Sequence, residues 1–188
     1  MTRAPGILVL VAGAAGLAAT AQAQTISPAT QQMSFTGEAP PGCLMEAPTS
    51  PTSDNASVTA ASPGSADIVI GQLVGDDAVP VGATVILSLP AACNQAHTLS
   101  LASQNGGLAN DDSSTAAGGF RSLVPYSVAL DWAGGAQTYQ SGDPALEVPL
   151  GDAAAGAVTV TIAIPAGGQP LTAGTYSDQL VLELAAAG

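Results

Sequence analysis

The stretch TYSDQLVLELAAAG (175–188) alternates cleanly: Leu180, Leu182 and Leu184 fall on one side of an extended chain, and Gln179, Val181 and Glu183 on the other. That is the period of a β-strand with one face on a core. Only Ala185 to Gly188 follow, too few for another full strand. An apolar strand with one edge unpaired is an aggregation hazard that proteins cover. The expectation is therefore an acceptor groove, lined in part by Leu180, Leu182 and Leu184, that another segment completes.

Upstream, the same period recurs. ADIVIGQLV (66–74) is a short β-branched run, and VGATVILSL (81–89) places Val81, Ala83, Val85, Leu87 and Leu89 on one face. HTLSLA (97–102) follows Cys93. In LVPYSVALDW (123–132), Tyr126, Val128, Leu130 and Trp132 oppose Ser127, Ala129 and Asp131. ALEVPL (145–150) is a shorter candidate, and AVTVTIAI (157–164) sets Val158, Val160, Ile162 and Ile164 against Thr159, Thr161 and Ala163. About seven short strands between Gly and Pro turns, with no helical period, predict an all-β fold, an antiparallel immunoglobulin-like β-sandwich. A jelly roll is the alternative. Residues 47–65, APTSPTSDNASVTAASPGS, have no period and read as a long loop.

The other end of the chain supplies the candidate occupant. MTRAPGILVLVAGAAGLAATAQAQ (1–24) has an early cation at Arg3, an apolar run from Ile7 and the small-x-small site Ala21-Gln22-Ala23. These are the parts of a secretory signal peptide, residues 1–23, cleaved after Ala23. As a membrane anchor the run is too short and too weakly apolar, and no later stretch is long and apolar enough to span, so an integral membrane protein is not expected. Residues 24–42 form an N-terminal extension in which Ala29, Gln31, Met33, Phe35 and Gly37 would share one face of an extended strand. These five are the candidate donor strand. The alternative is that 29–37 is the domain's own first strand. Residues 43–188 form the predicted sandwich domain, and 165 of the 188 residues remain after cleavage, enough for one core.

Composition narrows the function. With 14 acidic residues against two basic ones the net charge is −12, and Arg121 is the only cation left once the signal is gone. Such a surface repels phosphate backbones and anionic lipid, so no nucleic-acid partner is expected. Arg121, alone among many carboxylates, is expected to pair with one. Hydrophobic residues make up 47% but aromatics only 3%, so the core must be built from small aliphatics. Cys43 and Cys93, an even pair in an exported chain, read as a disulfide. Closing about 50 residues would contribute roughly 4 kcal/mol in the chain-entropy model.

No catalytic, cofactor or metal motif is present. There is no Gly-x-Ser-x-Gly elbow, no His-Glu-x-x-His, and no lysine for a phosphate loop. His97, the only histidine, reads as structural. Asp76-Asp77 and Asp111-Asp112 lack the spacing of a calcium loop and read as solvated carboxylates. An enzyme is not expected.

CNQAHTLSLASQNGGL (93–108), PYSVAL (125–130) and above all PAGGQPLTAGTYSDQLVLEL (165–184) resemble the spore coat protein U family, which includes subunits of archaic chaperone-usher pili. Leu171-Thr172-Ala173-Gly174-Thr175-Tyr176-Ser177-Asp178 is similar to the family's closing signature, Pro-Ala-Gly-Thr-Tyr-x-Asp, and Ile70-Gly71 stands where the family has Phe-Gly. The chain departs from the family in a long insertion between Cys43 and Ala66 and in its Ala-Ala-Ala-Gly end. The resemblance implies a Cys43–Cys93 pairing and an incomplete sandwich that lacks its last strand. A periplasmic chaperone and an outer-membrane usher would handle it in transit. The leader of an identical or related subunit would then complete it by donor-strand complementation. The function expected is an exported structural subunit of a cell-surface or extracellular fibre (a pilus or fimbrium) or coat, of the kind that serves cell adhesion and biofilm. The alternative is a secreted monomeric binding module or adhesin, which the scarcity of aromatics disfavours.

Overall fold

The alternating runs become strands whose apolar faces meet. In a computed structural model of the chain, residues 30–62, 64–112, 116 and 118–187 are described. The expected signal peptide and Ala29 lie outside these residues. The chain divides into two units, 1–38 and 39–188. In the first, residues 30–38 contain no strand, and Met33 and Phe35 are 73% and 90% exposed. The first strand of the chain among the described residues starts only at Cys43.

The second unit is all-β, with no helix among the described residues. One sheet runs through β5 (Ala83–Cys93), β12 (Ala154–Ile164), β9 (Ser127–Trp132) and β10 (Gly135–Gln140), all antiparallel. The far edge of β5 is shared by β1 (Cys43–Met45) and then β2 (Thr49–Asp54). The facing sheet has three strands, β11 (Leu146–Leu150), β6 (His97–Ser103) and β14 (Leu180–Ala186), with β6 central. Two small sheets complete the sandwich: the hairpin β3 (Ala56–Ser62) and β4 (Ser65–Ile70), and β13 (Tyr176–Ser177), β7 (Leu108–Asn110) and β8 (Leu123–Val124).

The core is what the period of two dictates. Ala83, Val85 and Leu87 of β5, Val128, Leu130 and Trp132 of β9, and Val158, Val160, Ile162 and Ile164 of β12 are buried, with Leu99 and Leu101 of β6 opposite. Cys43 and Cys93 are directly paired across β1 and β5 and joined by a disulfide, their Cα atoms 4.2 Å apart. Glu46 N donates to Pro90 O, and Asn94 N to Gly42 O. Cys43–Cys93 is thus a non-hydrogen-bonded pair of the ladder, where side chains lie closest.

Polar bonds tie the two main sheets together through the core. Trp132 Nε1 of β9 donates to His97 Nε2 of β6 at 2.9 Å, and His97 Nδ1 meets Gln95 O at 2.9 Å. His97 is 1% exposed, so a buried indole N–H and both ring nitrogens satisfy one another. At the other end of β6, Ser103 N donates to Tyr139 Oη of β10 at 3.0 Å.

Two expectations are corrected. Residues 47–65 are not a loop, since they supply β2, β3 and the start of β4. Arg121 meets no carboxylate among the described residues. Its Nη2 donates to Gly167 O at 3.3 Å, its guanidinium packs on Gly168, and its buried Nε has no partner.

Candidate functional site

β14 reaches the sandwich from a turn that the sequence braces heavily. Tyr176 Oη donates to Thr172 O at 2.8 Å, four residues upstream, the bond of a tyrosine corner. Asp178, immediately before the strand, accepts four hydrogen bonds. Ser103 Oγ and Tyr126 Oη donate to Oδ2 at 2.5 and 2.6 Å, and the backbone N–H groups of Asn105 and Gln179 donate to Oδ1 at 2.9 and 2.8 Å. Burial first, and then the bond to Asp178, push the Tyr126 hydroxyl well above the ordinary phenol value. The start of β14 is thereby fixed to both sheets.

From there β14 pairs with β6 on one side only. Gln104 N donates to Gln179 O at 3.0 Å and Ala187 N to Ala96 O at 2.8 Å. With the register Leu182↔Leu101 and Leu184↔Leu99, the alternation of an antiparallel ladder turns the odd-numbered backbone groups of β14 toward β6. The N–H and C=O groups of Leu180, Leu182, Leu184 and Ala186 point the other way. Among the described residues no strand pairs with that edge.

Burial records the same gap. Leu99 and Leu101 on β6 are 2% and 0% exposed, while their register partners Leu184 and Leu182, facing the same core, are only partly buried. Beside β14 lies a groove of about 770 Å³. Its floor is core: Leu87 and Leu89 of β5, Leu101 of β6, and Val160, Ile162 and Ile164 of β12. One wall is 178–182 and the other is 64–70, with Met45 and Pro48 above. Inward and outward residues alike line both walls, as they do when a strand edge, rather than a sheet face, borders a cleft.

Among the described residues no strand pairs with the second wall at Ile68 and Ile70 either. Gly71 N donates to Asn55 O at 2.9 Å, so the register Val58↔Ile68 and Ala56↔Ile70 turns the backbone groups of Ile68 and Ile70 away from β3. Asn55, with φ of 53°, pins the base of this hairpin. Its Nδ2 donates to Gln72 O and Gly82 O, and its Oδ1 accepts from Gln72 N. The groove thus has a strand on either side and an apolar floor beneath.

Of the expected acceptor residues, Leu180 and Leu182 line the groove; Leu184 continues the same inward face beyond it. Of the expected donor residues, Gln31, Met33, Phe35 and Gly37 are exposed and in no strand. Sequence reasoning missed the β4 wall and the polar end formed by Tyr126 and Asp178. Ile68 and Ile70 were legible as an alternating pair, and Asp178 as part of the TYSD turn, but nothing local joins either to the groove. Asp77 Oδ1 accepts from Val79 N and Asp111 Oδ1 from Ser177 Oγ. Among the described residues no group of three or more His, Cys, Asp or Glu side chains could hold a metal ion. No helix there is long and apolar enough to cross a membrane.

Comparison with family models, with curated proteins and with solved structures found no match.

Proposed function

We propose that this chain is an exported structural subunit of a surface fibre or coat, polymerised by donation of the 29–37 segment of one copy into the β14 groove of the next. The observation that carries the reading is the unpaired edge of β14 standing over an open part of the core. A nine-residue extended segment spans about 30 Å. That matches the edge from Asp178 to Ala186, and Met33 and Phe35 are the bulky side chains it offers to the floor. Each large apolar side chain so buried contributes roughly 1.5–3 kcal/mol, in addition to the ladder hydrogen bonds.

Donation to a neighbour is the reading we adopt, and the residues just before β1 are anchored to the sandwich domain. Asn94 Nδ2 donates to Pro40 O at 2.7 Å and Asn94 Oδ1 accepts from Gly42 N at 2.9 Å. Gly42 adds one more rung to the β1–β5 ladder, and it has no positive φ. Pro40 and Pro41 stiffen the chain just before it. A head-to-tail, heterologous contact of this kind builds open fibres.

On this reading an exposed groove in the monomer calls for a periplasmic chaperone until an outer-membrane usher hands the subunit to its neighbour, and the resemblance to spore coat protein U subunits points the same way. The test is to express the mature chain in a periplasm and compare unheated with boiled samples on denaturing gels, with and without residues 24–37. The expected result is a detergent-resistant ladder that collapses on boiling and vanishes in the truncated chain. A chaperone-independent monomer in every lane would overturn it and leave a secreted binding module.

A further inference from the structure

The chain has two cysteines, both joined in the Cys43–Cys93 bond, and three methionines. Met1 belongs to the expected signal peptide, so Met33 and Met45 carry the sulfur atoms still open to oxidation once it is gone. Both stand at the contact proposed above. Met33 falls on the inward face of the donor segment and is 73% exposed in the free chain. Met45 lines the groove that receives the segment and packs, half-buried, against the core. Trp132, the one indole, is 3% exposed with its Nε1–H bonded to His97, so oxidants in solvent do not reach it as they reach Met33.

A thioether is an apolar, adaptable filler, whereas its sulfoxide is polar and carries a strong acceptor oxygen. Laid in the groove, Met33 meets a floor that includes Leu87, Leu101, Val160 and Ile162, side chains with no hydrogen-bond donor. The hydroxyl of Tyr126 at the end of the groove is already committed to Asp178 Oδ2. A sulfoxide buried there would have its acceptor stripped of water and left unpaired, which opposes insertion.

We propose that Met33 is a redox switch for subunit assembly: exposed in the free leader, its sulfur is oxidised by hydrogen peroxide, and the sulfoxide blocks donation into the groove of the next copy. The inference rests on the donor-strand reading. In the step, one oxygen of the peroxide bonds to sulfur as the O–O bond breaks. The sulfur gives up two electrons, the peroxide is reduced, and its second oxygen leaves as water with both protons. Oxidation and donation exclude each other, because an inserted Met33 is covered and an assembled subunit keeps its thioether.

The test takes as donor a mature chain carrying Leu182→Asp, which keeps the leader but spoils its own groove, and as acceptor a chain lacking residues 24–37. The folded donor is treated with dilute hydrogen peroxide, the peroxide is removed with catalase, and the acceptor is refolded in its presence. The untreated donor should give a 1:1 complex on unboiled gels, and the treated donor none. A donor that also carries Met33→Leu, a change that conserves volume, should form the complex before and after treatment. Peptide mass mapping should find Met33 as the sulfoxide in the free donor and unmodified in complexes treated after assembly. A synthetic peptide of residues 24–38, made with Met33 as thioether or as sulfoxide, repeats the comparison without relying on the folding of the donor variant. Complex formation by the oxidised donor, equal loss from the Met33→Leu donor, or equal oxidation of Met33 in free donor and preformed complex would overturn the proposal. No complex from untreated donor and peptide alike would overturn the donor-strand reading, and this inference with it, so the two failures are told apart.

Discussion

The Tyr126 hydroxyl donates to Asp178 Oδ2 across 2.6 Å, joining the head of β9 in one sheet to the residue that launches β14 in the other. It is one of four hydrogen bonds that this carboxylate accepts. A bond to a charged acceptor of this kind contributes about 2 kcal/mol. Tyr126→Phe should lower the unfolding free energy by about that amount, read from the shift of a urea midpoint at pH 7.

The same pair sets a dependence on alkaline pH. Burial and then the Asp178 bond raise the Tyr126 pKa in the folded chain, so the native state holds this proton more tightly than the unfolded one. The stabilisation is complete below the unfolded value of about 10 and is lost as pH rises beyond it. Stability measured between pH 8 and pH 11.5 should fall more steeply in the wild type than in Tyr126→Phe, and parallel curves would refute the assignment.

His97→Ala should destabilise through two losses, a cavity and a stranded indole. Trp132 Nε1–H would remain buried without its acceptor, which costs about 1–3 kcal/mol before the cavity is added. Denaturant unfolding followed by Trp132 fluorescence measures it directly, since no other tryptophan is present.

Reduction of Cys43–Cys93, or replacement of both by Ser, should cost roughly 4 kcal/mol, because the bond closes a loop of 50 residues in the unfolded chain. It should also loosen the β1–β5 ladder that holds Gly42 and Pro40, so amide exchange at Gly42 should accelerate more than global stability alone accounts for.

Donor and acceptor can be separated genetically. Leu182→Asp should spoil the groove while leaving the leader intact, and removal of residues 24–37 should do the reverse. Each alone should give no ladder on unboiled gels, and mixing the two during refolding should give a 1:1 complex and nothing longer. Longer species in the mixture would show that some other surface polymerises the chain.

Much of the domain was legible because a strand with one buried face writes a local pattern. Val128, Leu130 and Trp132, Val158 to Ile164, and Leu180 to Leu184 fell on the predicted faces. β2 and β3 were not legible. TSPTSD and ASVTAAS lack the alternation of large apolar and polar side chains, and hydrogen bonding to β5 and β4 makes them strands. Arg121 was misread for a related reason, since composition counts carboxylates but does not say which one is near.

The sequence by itself determined an all-β chain, the inward side of its principal strands and the two cysteines available to cross-link it, because side-chain alternation and residue chemistry are local properties. Tertiary structure alone decided that, among the described residues, no strand pairs with the outer edge of β14 and that Ile68 and Ile70 of β4 line the opposite side of the groove. It also decided that Asp178 is bonded into both sheets. Which strand stands next to which is a non-local outcome of packing, and a strand's own residues read the same whether its edge is covered or bare.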